Sequence, residues 1–143
     1  MSVVLSADDE ELVAAARSVI AANYEYGRHE IGAAVRTRSG KVFAGIHVEA
    51  NVGRITVCGE AVALGAAFSA GQRGIDTVVA VAHPHPHERV PESWVVAPCG
   101  MCRELISDYD DGADVIMPAG DALGKVSVLD LLPFKYSNDP PAE

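Results

Sequence analysis

All three cysteines of the chain lie in two short segments, Cys58-Gly59-Glu60 and Pro98-Cys99-Gly100-Met101-Cys102. Each segment opens a run with helical character. The first continues through Ala- and Leu-rich residues to Ala70 and is stopped by Gly71, and the second runs to about Asp108. Cys99 and Cys102 are three apart, so on a helix their thiols share one face. An odd cysteine count with this spacing, in a chain with no export signal, points to metal or catalysis rather than disulfides. If one metal takes all three thiols, the fold must bring the starts of two sequence-distant helices to a single point. Few architectures do that.

Zinc binds thiolates at about 2.3 Å in tetrahedral geometry, and a catalytic centre supplies three protein ligands and keeps one position for water. Cys58, Cys99 and Cys102 fit that count. Unpaired N–H groups at helix N-termini lower thiol pKa values, which suits Cys58 and Cys99. Arg103 follows the last ligand directly, placed to hydrogen-bond a thiolate from behind. Glu60, in the first turn of its helix, is the residue to carry protons between water and a substrate.

Other readings of these residues exist. A redox Cys-x-x-Cys leaves Cys58 and Glu60 without a role. A structural zinc, in a non-catalytic binding protein, needs a fourth ligand, which His83, His85 or His87 would have to supply. Alternating prolines hold His83-Pro84-His85-Pro86-His87 extended, with the imidazoles too far apart to chelate well. That run reads as a solvated loop of weak metal affinity.

Around these segments the pattern alternates between helix and strand. Leu12, Val13, Ala16, Val19 and Ile20 recur at helical spacing within Asp8 to Asn23, with Ser6 as N-cap and acidic residues in the first turn. Ile31 to Thr37 and Lys41 to Val48 flank Ser39-Gly40 and read as a hairpin. Asp76 to Ala82 is a buried strand, His83 to Ala97 a loop, Val115 to Met117 and Lys125 to Val128 further strands, and Val128 to Leu132 a short last helix. The expected architecture is α/β: one three-layer α-β-α domain over residues 1–143, with a mixed sheet of about five strands.

The chain carries 20 acidic against 11 basic residues, a net charge of −9. Nucleic-acid polymers are bound chiefly by Lys and Arg on phosphates, so such a partner is not expected. No apolar run approaches the ~18–20 residues of a membrane span. Met1 to Glu11 turns acidic before any hydrophobic stretch, unlike a signal peptide. A cytoplasmic protein without membrane association is the expectation.

A Glu soon after the first ligand, followed later by Pro-Cys-x-x-Cys, is a signature of zinc deaminases of nucleobases. With Ile31-Gly32-Ala33-Ala34-Val35, Gly45-Ile46-His47-Val48-Glu49 and Leu131-Leu132-Pro133, the chain resembles the cytidine deaminase superfamily, in its small branch of cytidine and blasticidin-S deaminases. The resemblance implies one Zn²⁺ per chain and hydrolytic deamination of a free cytosine nucleoside, to the uracil nucleoside plus ammonia, in pyrimidine salvage. It also implies a homotetramer whose neighbouring subunits close each site. Its alternative implication is a blasticidin-S-type deaminase of a nucleoside antibiotic. Glu49 then grips the sugar, His47 stands where the family usually has Asn, and His29 stands where an aromatic residue is usual; these three are the expected substrate contacts. Ala61 and Glu104 replace the family's usual Arg and Gln, and the helix from Cys58 to Ala70 is closer to the blasticidin type.

Overall fold

Residues 4–142 are described in a computed structural model; residues 1–3 and 143, the ends of the expected domain and the start of the acidic N-terminus, lie outside the described residues. Helix α1 (Ala7–Asn23) starts where the sequence marks a cap. Ser6 Oγ accepts the Asp9 N–H at 3.1 Å and Asp9 Oδ2 accepts the Ser6 N–H at 3.2 Å, a reciprocal capping box. The buried stripe of α1 is Leu12, Val13, Ala16 and Ile20. Asp9 is buried as well, and anchors the helix by accepting from Arg36 Nη2 at 2.8 Å and Lys125 Nζ at 3.1 Å. Burial alone would raise its pKa; the bonds from Arg36, Lys125 and the Ser6 amide outweigh that and hold it at about 2.

Strand β1 (Ile31–Thr37) pairs antiparallel with β2 (Val42–Ile46) and with β3 (Ile75–Ala82). The hairpin turn uses Gly40 at φ +87°, a left-handed position glycine takes without strain. Along its other edge β3 has two neighbours. Its first half runs parallel to β5 (Asp114–Ala119), and Ala80 to Ala82 pair antiparallel with the short β4 (Trp94–Val96). Strand β6 (Ala122–Ser127) closes the far side against β5, giving the order β2-β1-β3-β5-β6 with β4 on β3. The sheet is mixed and has six strands, one more than expected. The extra one is β4, inside the segment read as loop: three residues show no usable periodicity, and pairing with β3 creates the strand. The expected last helix is a 3-10 turn, Val128–Leu131.

Helices α2 (Gly59–Ser69) and α3 (Gly100–Tyr109) cover one face of the sheet and α1 the other. The layers therefore are the three expected. Alternate residues of β1 and β3 feed the two cores. Ala33, Val35, Val78 and Ala80 meet Ala63, Leu64 and Ile106, whereas Ala34, Val79 and Val81 meet Leu12, Ala16 and Ile20. Close helix–sheet approach depends on Gly45. A Cβ there would stand 2.6 Å from the Ala63 nitrogen and 2.9 Å from the Val62 Cβ, so α2 could not lie where it does. That approach sets the depth of the residues at the start of α2.

Candidate active site

Cys58 is the N-cap of α2 and Cys99 the N-cap of α3, and Cys102 lies in the first turn of α3. Because both helices pack on the same face of the sheet, their N-termini converge. The three sulfurs lie within 4.8 Å of one another, and Cys58 Sγ and Cys99 Sγ are 3.6 Å apart. Sulfurs held tetrahedrally at about 2.3 Å from a zinc ion stand about 3.8 Å from each other. The donor set fits that ion without rearrangement of the backbone. Among the described residues this is the one group of three or more potential ligands gathered closely enough to hold a metal, and no histidine belongs to it.

The electrostatics tell the same story. Burial pushes the Cys58 thiol up, with the facing Cys99 adding to the shift, and pushes Cys102 up further, with Glu60 adding there. Cys99 is shifted down: burial opposes this, but the amides of Cys102 and Met101 and the Cys58 thiol favour its thiolate. Three crowded sulfurs of which two resist ionisation make a donor set that a dication stabilises.

Glu60 is only 5% exposed and sits one residue beyond the N-terminal residue of α2. Burial raises its pKa, against the Cys102 thiol, its own amide and the nearby His47, which lower it. It lines a cleft of about 180 Å³ with Ile31, Cys58, Gly59, Val96, Ala97 and Cys99. A larger cavity of about 570 Å³ lies among Arg17, Trp94, Pro118 and Leu123 and touches none of these groups. Size does not mark the site; the carboxylate beside the thiols does.

Arg103 is placed otherwise than expected. Its Nε donates to the Pro98 carbonyl at 2.8 Å and its Nη1 to that of Leu131 at 3.5 Å. It thus steadies the backbone in front of Cys99 instead of bonding a sulfur. His47 is buried at the end of β2, its Nδ1 accepting from the Glu30 N–H at 3.1 Å and its Nε2 lying 2.6 Å from Glu49 Oε2. Glu49 is two-fifths exposed, and its Oε1 accepts from the Thr56 hydroxyl at 3.4 Å. His29 Nδ1 donates to the His47 carbonyl at 2.8 Å. The three expected substrate contacts are therefore gathered into one network.

The proline-spaced histidines pack elsewhere. His83 stacks on Tyr24 with centroids 3.8 Å apart, and His85 lies 3.6 Å from both Glu30 and Glu88. None closes the metal centre. Trp94 lines the larger cavity and not the cleft. Sequence reasoning missed Ile31, Val96, Ala97 and Thr56. The wall residues Val96 and Ala97 lie just before Pro98, and only the β3–β4 pairing turns them inward.

A carboxylate buried against an open three-thiol centre, on a mixed sheet with helices over both faces, defines a zinc-dependent deaminase. The profile of the cytidine and deoxycytidylate deaminase zinc-binding region matches residues 6–117, and the chain belongs to that family. It is 45% identical over 135 residues to a blasticidin-S deaminase of Bacillus cereus, covering 94% of this chain and 96% of that protein. A cytidine deaminase of Halalkalibacterium halodurans is 32% identical over 115 residues, 78% of this chain and 80% of that one. The crystal structure of cytidine deaminase from Burkholderia pseudomallei superposes with a TM-score of 0.71 at 28% identity, covering 92% of this chain and all of the other. The chain is accordingly a hydrolytic deaminase of the zinc-binding type.

Proposed function

We propose that the protein deaminates the cytosine ring of a free nucleoside, with Cys58, Cys99 and Cys102 holding zinc and Glu60 as the proton carrier. The observation that carries this is the burial of Glu60 beside the three sulfurs, in the lining of a small cleft. A bound metal supplies water made acidic enough to act as a nucleophile near neutral pH. Glu60 accepts the first proton that water loses and passes it to a ring nitrogen; it then takes the second from the hydroxyl now on the ring carbon and gives it to the amino group, which departs as ammonia. The apolar walls from Ile31, Val96 and Ala97 position the ring and exclude bulk water.

At about 180 Å³ the cleft is smaller than the ~300–1,000 Å³ usual for pockets that enclose a whole small molecule. It suits a pyrimidine with the sugar outside, where Glu49 accepts the sugar hydroxyls and His29 borders the same network. Among the described residues Glu49 bonds His47 and Thr56 but no Lys or Arg side chain, so a phosphate would approach a carboxylate with no guanidinium or ammonium beside it. Of the two readings, the free cytosine nucleoside is supported by the family match, and the 45% identity to the blasticidin-S deaminase makes a nucleoside antibiotic the compatible alternative. A panel of cytidine, deoxycytidine, blasticidin S and cytidine 5′-monophosphate, followed by ammonia release, decides it. Turnover of at least one of the three nucleosides and none of the monophosphate is expected. No ammonia from any member with zinc bound would leave only a zinc-stabilised binding protein.

The assembly in this proposal is a homotetramer, in which a neighbouring subunit completes the open cleft. Val48, Val52, Ile55 and Val57 are exposed close to Glu49 in sequence, and Met101 is exposed beside the thiol centre, an apolar rim suited to burial against another copy. Light scattering at micromolar concentration should give the tetramer mass, and a fully active monomer would contradict it. Among the described residues no helix is long and apolar enough to cross a membrane. A cytoplasmic setting, which keeps the thiols reduced for zinc, completes the proposal.

A further inference from the structure

The geometry points to His47 as a positioning residue that aims Glu49, and not as a contact of the substrate. This rests on the reading of Glu49 as the sugar acceptor. Both ring nitrogens of His47 are already engaged. The Glu30 amide can only donate, so Nδ1 at 3.1 Å must be the unprotonated acceptor. In the neutral imidazole Nε2 then carries the hydrogen, and it donates to Glu49 Oε2 at 2.6 Å. No ring nitrogen is left for a sugar hydroxyl.

The rest of the network holds this tautomer in place. The His47 N–H donates to the Ile31 carbonyl at 2.9 Å, and the His47 carbonyl accepts from His29 Nδ1 at 2.8 Å. His29 therefore has the opposite tautomer, with hydrogen on Nδ1. The imidazole is buried on a main chain tied at both its N–H and its carbonyl, whereas Glu49 is two-fifths exposed. One carboxylate oxygen is pinned by the imidazole and the other is approached by Thr56 at 3.4 Å, which leaves lone pairs directed outward. A fixed acceptor loses less freedom on binding than a swinging side chain, so the gain appears in affinity for the sugar. The chemistry at the ring is untouched, since Glu60 and the thiols perform it.

Two amides dissect the imidazole. Asn at position 47 places a polar atom near Nδ1 but none near Nε2; Gln places an N–H near Nε2. In the zinc-loaded enzyme His47→Asn should raise KM for cytidine and Kd for uridine roughly tenfold, as expected for a hydrogen bond to a charged group, with kcat within about threefold. His47→Gln should restore most of the affinity. In a double-mutant cycle, His47→Asn should add little once Glu49→Gln is present. With 2′,3′-dideoxycytidine, which lacks the 2′ and 3′ hydroxyls that Glu49 is to accept, the two substitutions should be nearly silent. Long-range ¹H–¹⁵N spectra of the unmutated holoenzyme should show hydrogen on Nε2 of His47 and on Nδ1 of His29, a readout that survives even if a variant folds poorly. Multiplicative losses in the cycle, or His47→Gln as weak as His47→Asn, or hydrogen on Nδ1 of His47, would overturn the positioning role while the Glu49 reading stands. A silent Glu49→Gln overturns the Glu49 reading itself; a loss in His47→Asn beside it then marks His47 as the direct contact.

Discussion

Glu60→Gln is expected to lower kcat by about 10²–10⁴-fold, the usual worth of general acid–base catalysis, with zinc content unchanged. The substitution keeps the shape of the side chain and removes only its capacity to take and return a proton. Glu60 is 5% exposed and belongs to no ligand set, so neither metal nor fold should depend on its charge. Burial works against the ionised carboxyl, and a neutral amide in its place should leave the melting temperature equal or slightly higher. Steady-state kinetics, metal analysis and a thermal melt on one preparation test all three statements. Turnover within threefold of the unmutated enzyme would remove Glu60 from the proton path. Loss of zinc in the same variant would recast it as a ligand.

Much of the fold was legible because its signals are local. Ser6 with Asp9, the stripe from Leu12 to Ile20 and the turn at Gly40 each depend on neighbours within a few residues. The apolar run of β3 was legible for a different reason: a strand covered on both faces shows no alternation and stands out as a block. What could not be read was the pairing. Strand β4 exists because Val95 and Val96 meet Val81 and Ala80, and nothing within residues 94–96 announces those partners. The parallel contact of β3 with β5 is likewise a long-range event, with α3 lying between the two in sequence.

The site divides along the same line. Cys58, Glu60, Cys99 and Cys102 were legible because a metal centre needs particular residue types at particular helix positions. The environment of Glu49 was not. Thr56 reaches it only because Val48 bridges to Val57 and folds the intervening segment back, and His47 finds its amide donor on a different strand connection at Glu30. Arg103 shows how adjacency misleads. Being next to Cys102 in sequence suggested a bond to sulfur, yet its guanidinium donates to the carbonyls of Pro98 and Leu131.

Cys102→Ala is expected to lose zinc and to melt roughly 10 °C below the zinc-loaded enzyme. Cys102 is 2% exposed, the most deeply buried of the three, and burial disfavours its thiolate in the absence of a cation. The loaded state is thus the one in which this sulfur is well accommodated, and metal binding contributes directly to folding. A ligand that binds only the folded state at a hundred times its Kd stabilises by about 2.7 kcal/mol, and each kcal/mol moves the melting point of a domain this size by about 2–4 °C or slightly more. Removing one of three ligands leaves two sulfurs, too few to hold the ion against chelators. The decisive comparison is therefore thermal melting with and without chelator. The unmutated enzyme should drop on chelation to nearly the melting point of Cys102→Ala, and the variant should not respond. An equal response of both proteins would mean that the metal is held without Cys102, and the three-thiol centre would have to be abandoned.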